Sequence, residues 1–171
     1  MAPVKHQIEI HKREVPGNCG PAAMKMALGR YGIHRTERYL QRILKTDPDS
    51  IGTTAENMVA VFHKYGLEAE ILDNCAFEDL EDRIHGRNGH GARPVIVNWW
   101  LDSASYGHYS LLCDIQLYDG DVCLVFADPS YARHRWYTRE RFLQLWFDYK
   151  SFFPPSLNDF VFHRMIDFWK E

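Results

Sequence analysis

Three apolar runs crowd into one stretch of the chain: Pro94 to Leu101, His108 to Leu117 and Val122 to Ala127. Each is rich in Val, Ile, Leu and aromatic residues, the texture of a strand buried on both faces. Tyr118-Asp119-Gly120-Asp121 separates the last two. Asp-Gly tolerates the left-handed backbone that a tight hairpin needs, so these two runs are predicted to pair antiparallel. The chain must therefore build a sheet here, and the rest of it must cover that sheet.

The first third has the other periodicity. Pro21 suits the first position of a helix, where its missing N–H costs nothing. Ala22, Ala23, Met26 and Ala27 follow at helical spacing, with Lys25 and Arg30 pointing elsewhere and Gly32 as a stop. Thr36 caps a short helix carrying Tyr39, Leu40, Ile43 and Leu44, and Asp47-Pro48-Asp49-Ser50 breaks the chain. Thr53 and Glu56 have capping-box spacing ahead of Met58, Val59, Val61, Phe62 and Tyr65, and Gly66 ends that helix. Val4 to Lys12 reads as a short strand or an extended arm. Leu67 to Leu72 alternates like a strand, and Phe77 to Ile84 reads as a short acidic helix. Thr138 to Phe147 is an amphipathic helix with Phe142, Leu143 and Trp146 inward; Pro154-Pro155 breaks the chain, and Phe160 to Ile166 is a last aromatic strand. Helices first, then antiparallel strands, is an α+β layout.

The 171 residues are expected to form one domain, 1–171, with enough chain for a core. A hydrophobic share of 46% places the chain among globular proteins, and a net charge of −3 offers no electrostatic case for nucleic acid. No apolar run approaches the ~18 residues that would suggest a membrane span. The polar N-terminus lacks the apolar core of a secretory signal. Cys19, Cys75, Cys113 and Cys123 have neither metal-ligand nor disulfide-framework spacing, so a reducing cytoplasm is the simplest setting. His85 and His90 fall in a glycine-rich loop, His85 to Arg93, that reads as surface. No metal or cofactor is expected. The aromatics Phe152, Phe153, Phe160, Phe162, Phe168 and Trp169 either cover the core or form a contact surface.

Cys19 stands at the start of the first helix. Unpaired N–H groups and the positive end of the helix dipole favour a thiolate there. The plain alternative is a buried cysteine acting as a small hydrophobe. A thiol nucleophile needs an imidazole and a group to orient it. Of nine histidines, His108 alone opens a predicted strand of the sheet, and Asp128 ends the neighbouring strand before Pro129. In an antiparallel hairpin those two points lie at the same end of the ladder. The alternative is a strand-start histidine and an Asp-Pro turn with no shared role.

Gly17-Asn18-Cys19-Gly20-Pro21-Ala22-Ala23, Gly107-His108-Tyr109-Ser110-Leu111 and Ala127-Asp128-Pro129-Ser130 together resemble the papain-like cysteine peptidases that process bacteriocin leader peptides after a double glycine. Gly52-Thr53-Thr54 and Tyr137-Thr138 with Phe142 and Trp146 extend the likeness, which spans most of residues 13 to 147; residues 148–171 remain unplaced. The resemblance implies a papain-like fold, Cys19 as nucleophile, His108 as general base and acid, and Asp128 as orienting group. The family usually carries a glutamine six residues before its cysteine, to hold the oxyanion. That position here is Arg13, and Gln7 lies six residues further upstream. Arg13, Gln7 and Asn18 are therefore the oxyanion candidates. The chain reads as a stand-alone thiol hydrolase that cleaves an amide bond in a peptide or protein substrate through a Cys19 thioester. Acyl transfer to an amine through the same thioester, and a silent peptide-binding domain, are the rival readings.

Overall fold

The computed structural model describes residues 2–49, 52–101, 106–149 and 159–171. Pro154-Pro155, Phe152, Phe153 and Ser50 lie outside the described residues. The helices are α1 (Cys19–Gly29), α2 (Glu37–Ile43), α3 (Ala55–Lys64), α4 (Phe77–His85) and α5 (Arg139–Leu145). The strands are β1 (Glu68–Leu72), β2 (Val95–Leu101), β3 (Tyr106–Tyr118), β4 (Asp121–Ala127), β5 (His134–Thr138), β6 (Phe147–Tyr149), β7 (Phe160–Phe162) and β8 (Arg164–Trp169).

Six strands form one antiparallel sheet in the order β1-β8-β2-β3-β4-β5, and β6 pairs with β7 in a separate ribbon. The β3–β4 turn is the hairpin that Asp119-Gly120 predicts, with φ of +50° and +90° at its two central residues. Strand side chains alternate between faces. Ile96 therefore joins one apolar layer with α1, α2 and α3, while Val95, Val97 and Trp99 join the other with α4 and α5. A register shift between Leu112 and Asp114 interrupts the alternation, so Cys113 and Ile115 fall on opposite faces.

The N-terminal helix lies almost wholly inside. Only Lys25 and Gly29 of α1 escape full burial. Its end is closed by the Ile33 N–H, which donates to the Leu28 carbonyl at 3.1 Å, with Gly32 at φ +73° making the bend. Pro21 is the third helical residue rather than the first, still in the turn where its N–H would have no partner. Thr36 caps α2 as expected, its side chain accepting from the Tyr39 N–H at 3.2 Å. The capping box expected at Thr53 and Glu56 is displaced by one residue: Thr54 caps α3, accepting from the Asn57 N–H at 3.3 Å. Thr53 instead pairs with the Thr46 hydroxyl at 2.7 Å and packs on Gly20.

Of the two readings of the N-terminal stretch, the extended arm holds: residues 2–13 form no strand, and the arm is tied down where the His6 N–H donates to the Cys113 carbonyl at 3.2 Å. One other expectation changes. The last aromatic run is two strands. His163 adopts φ +49°, stacks on Trp146 at 4.7 Å and turns the chain between β7 and β8. The stretch left unplaced by the resemblance thus supplies β8, an interior strand of the sheet.

The β8 carboxylate Asp167 is fully buried between two guanidinium groups. Arg93 binds it in a fork, both bonds at 2.6 Å, and Arg83 adds a third at 3.0 Å. Breaking such a pair by removing one partner strands the other charge and costs about 3–5 kcal/mol. Arg93→Ala is expected to lower stability by an amount toward the lower end of that range, because Arg83 keeps its bond to Asp167. Urea unfolding of variant and parent measures it.

Candidate active site

Cys19 is the first residue of α1 and is 8% exposed. The loop before it is held by Glu37, whose buried carboxylate accepts the Glu14 N–H at 3.0 and 2.8 Å and the Asn18 side-chain amide at 3.0 Å. Small residues flank the thiol for steric reasons. A methyl on Gly17 would overlap Pro48, and one on Gly20 would overlap Thr53. The N–H groups of Cys19 and Gly20 belong to the first turn, where a helix supplies no partner of its own.

His108 lies on β3 and Asp128 directly after β4; both are fully buried. His108 Nε2 and Asp128 Oδ1 are 2.8 Å apart. The same oxygen accepts the Ser130 N–H at 2.8 Å, which holds the carboxylate in place. A carboxylate acceptor assigns the proton to Nε2 and leaves Nδ1 as the free face of a neutral ring. Trp99 presses edge-on against His108 at 5.8 Å between ring centres and donates its indole N–H to Ser110. The imidazole is thus clamped in a dry setting.

The thiol and the ring act on each other. Burial alone would push the Cys19 thiol up, but the neighbouring His108 above all, with the Tyr109 backbone N–H and the charge of Arg13, outweighs it and holds the thiol below its ordinary value. Burial would lower His108; the bond to Asp128, with the Cys19 thiolate, raises it to about 9. Burial would raise Asp128, and the bond and charge of His108 reverse that. Among the described residues, His108 Nδ1 has no partner in good hydrogen-bond geometry. The thiol and ring thus influence each other without a closed hydrogen bond, the loose arrangement common in a free enzyme. The other cysteines move the opposite way: burial raises Cys75 to about 11, Cys113 to about 12, and Cys123 as well. All four are free.

The amino-acid sequence matches the Peptidase C39 family over residues 7–156. The chain belongs to the Peptidase C39 family. It is a cysteine peptidase with the papain-like fold of that family. The C39 chain is similar in structure to the peptidase domain of Streptococcus ComA, a bi-functional ABC transporter involved in quorum sensing: 20% identity, 96% of this chain and 100% of that one covered, TM-score 0.67. It is also similar to a double glycine motif protease from an AMS/PCAT transporter, solved with its leader peptide: 16% identity, 100% and 97% covered, TM-score 0.64. The peptidase domain of Streptococcus mutans ComA gives 17% identity, 94% and 98% covered, and TM-score 0.57. No curated protein sequence matches the chain. Among the described residues, no helix of this C39 peptidase is long and apolar enough to cross a membrane.

The three oxyanion candidates separate in space. Arg13 is drawn to the site because its N–H donates to the Pro129 carbonyl at 2.8 Å, next to Asp128. Its Nη2 donates to the Tyr106 hydroxyl at 2.7 Å, and its Nη1 is buried without a partner among the described residues. Gln7 is elsewhere: it shares a groove with Met26, Gly29 and Arg30 near the far end of α1, and its amide donates to the Val4 carbonyl at 2.6 Å. The Asn18 amide is spent on Glu37 and on Gln41, at 3.0 and 3.2 Å. Sequence reasoning missed Glu37 and Tyr106. Glu37 reads as an ordinary acidic residue in a helix's first turn, and nothing near Tyr106 signals that it receives Arg13.

Proposed function

We propose that this C39 peptidase cleaves a peptide after a double glycine, with Cys19, His108 and Asp128 as its catalytic residues. The reading rests on one observation above others: of the four thiols, Cys19 alone is held below its ordinary ionisation, and His108 beside it is bonded to Asp128. The Cys19 thiolate attacks the scissile carbonyl carbon, and the carbonyl electrons move onto oxygen. That oxyanion is met by the Cys19 N–H at the helix start and by Nη1 of Arg13, which has no partner among the described residues. His108, charged at this stage, gives its proton to the leaving amine as the C–N bond breaks. A Cys19 thioester remains. His108, now neutral, takes a proton from water, hydroxide adds to the thioester, and the thiolate leaves as the acid is released. Asp128 keeps the ring oriented through both steps. All four cysteines are free, which suits a reducing compartment, so the cytoplasm is the proposed setting.

The substrate class comes from the double glycine motif protease that this chain resembles in fold, which was solved with its leader peptide. The test is mass spectrometry of a peptide carrying Gly-Gly, incubated with the enzyme with and without an added amine. A cut after the second glycine that gives a free acid supports hydrolysis. An amide to the added amine, at the expense of the acid, moves the assignment to acyl transfer. An untouched peptide removes this substrate class.

Arg13 and Gln7 give a matched pair of variants. Arg13→Ala is expected to lower turnover by about 10²–10³-fold, the loss from one oxyanion donor. Gln7→Ala is expected to leave turnover unchanged, since its amide lies near the other end of α1. Steady-state cleavage of the same peptide separates the two; the reverse pattern would transfer the oxyanion role to Gln7.

A further inference from the structure

The β6–β7 ribbon packs on β2 and β3 at the end of the sheet that carries His108. Trp100 of β2 stacks on Phe147 at 5.8 Å and meets Tyr149 edge-on at 5.0 Å. Between those two aromatics sits Asp148, a carboxylate that the proposed chemistry does not use. One of its oxygens accepts the Tyr149 N–H at 2.7 Å, and the other accepts the Asn98 side-chain amide at 2.6 Å. Asn98 is 4% exposed, and the same amide reaches the His108 carbonyl at 3.4 Å. Asp148 also lies flat against the backbone immediately before His108: a methyl on Gly107 would overlap both carboxylate oxygens. His108 is thus approached on both sides by one carboxylate, directly at Gly107 and through Asn98 at its own carbonyl.

Keeping an acid there is costly. Burial raises Asp148 to about 6, although the Tyr149 N–H, Asn98, Arg164 and His108 all pull the other way. Aromatic stacking alone would dock the ribbon, so the carboxylate needs another reason. We propose that Asp148 is a positioning residue: acting through Asn98 and the Gly107 backbone, it fixes the start of β3 so that His108 faces Cys19. The proposal rests on the reading of Cys19 and His108 as a working pair. The part of the chain that the family resemblance left unplaced then has a function, as a brace on the strand that carries the imidazole.

The test is the rate of Cys19 alkylation by iodoacetamide at a pH on the acid side of the Cys19 titration, followed by peptide mapping in the full chain. The proteins are the parent, His108→Ala, Asp148→Ala, Asn98→Ala and the Asp148→Ala/Asn98→Ala double variant. His108→Ala is expected to slow labelling. Asp148→Ala and Asn98→Ala are each expected to slow it by about tenfold, the change in thiolate fraction for one unit of pKa. The double variant is expected to be no slower than either single change, because the two act as one relay. A purely structural loosening has the opposite signature: Cys19 and the buried Cys113 would both label faster. If Asp148→Ala opens the fold in that way, Asn98→Ala and Asp148→Asn carry the same comparison. Parent-like labelling of Asp148→Ala and Asn98→Ala, with His108→Ala slowed, overturns the proposal and leaves the pair intact. Slowing in the double variant equal to the product of the singles also overturns it, since the two residues then act separately. If His108→Ala labels as fast as the parent, the pair itself fails and the proposal with it.

Discussion

Changing Cys19 to alanine is expected to remove peptide cleavage, a fall in kcat of about 10⁴-fold or more. The reason is chemical: without sulfur no thioester forms, and no other thiol can substitute. Cys113 is wholly buried and raised to about 12, and Cys75 is raised to about 11. Both are protonated at neutral pH. The fold should survive, because alanine keeps the small side chain that the Gly-Asn-Cys-Gly turn allows. Product formation measured by mass spectrometry, beside urea unfolding of the same preparation, separates lost chemistry from lost structure. Cleavage by Cys19→Ala within tenfold of the parent would place the nucleophile elsewhere.

Asp128→Asn is expected to lower turnover by about 10²–10⁴-fold, the range for general acid–base catalysis, and to move its pH dependence. The sign follows from His108. The leaving amine needs a proton from the imidazolium, so the rate falls as pH rises through the value at which His108 loses its charge. In the parent that value is about 9, because the bond to Asp128 and the Cys19 thiolate outweigh burial. An amide keeps the hydrogen bond in one orientation but removes the negative charge. Burial then dominates and His108 loses its proton at lower pH. The alkaline limb of the kcat profile should therefore shift downward from about pH 9 in Asp128→Asn. A profile that keeps its limb while the rate falls would mean that Asp128 orients the ring without supporting its charge. Unchanged rate and profile would remove Asp128 from the mechanism.

What the sequence conveys and what it hides divide along a physical line. The pairing of His108 with Asp128 was readable because it is local: one tight Asp-Gly turn sets the register of β3 on β4 and brings the two ends together. Helix α1 was readable for the same reason, since periodicity and a Gly stop act within a few residues. The Thr53 and Thr54 exchange shows the limit of local rules. Both residues have the right side chain for a cap, and Gly20 on another helix decides which one is used. Strand β8 hid for a different cause. Its partners are β1 and β2, from opposite sides of α4, and no local pattern encodes that insertion. A histidine at φ +49° also joined β7 and β8 into one apparent run. Arg13 was identified by its spacing from Cys19, but its route into the site depends on the Pro129 carbonyl and the Tyr106 hydroxyl, more than 90 residues on. Asp148 had no signal at all, being one acid between two aromatics.

The central claim is that Cys19 is an ionised thiol sustained by His108. The rate of its alkylation by iodoacetamide, followed from about pH 4 to pH 10, measures this without knowledge of any substrate. Only the thiolate reacts, and an ordinary thiol titrates near ~8.5. The expected result is a Cys19 rate that rises well below that value, with Cys75 and Cys113 unlabelled until far higher pH, and a rise in His108→Ala displaced upward because burial is then opposed only by the Tyr109 N–H and the charge of Arg13. Labelling of Cys19 no faster than that of Cys75, or only after denaturation, would contradict the account and return Cys19 to the role of a buried apolar side chain.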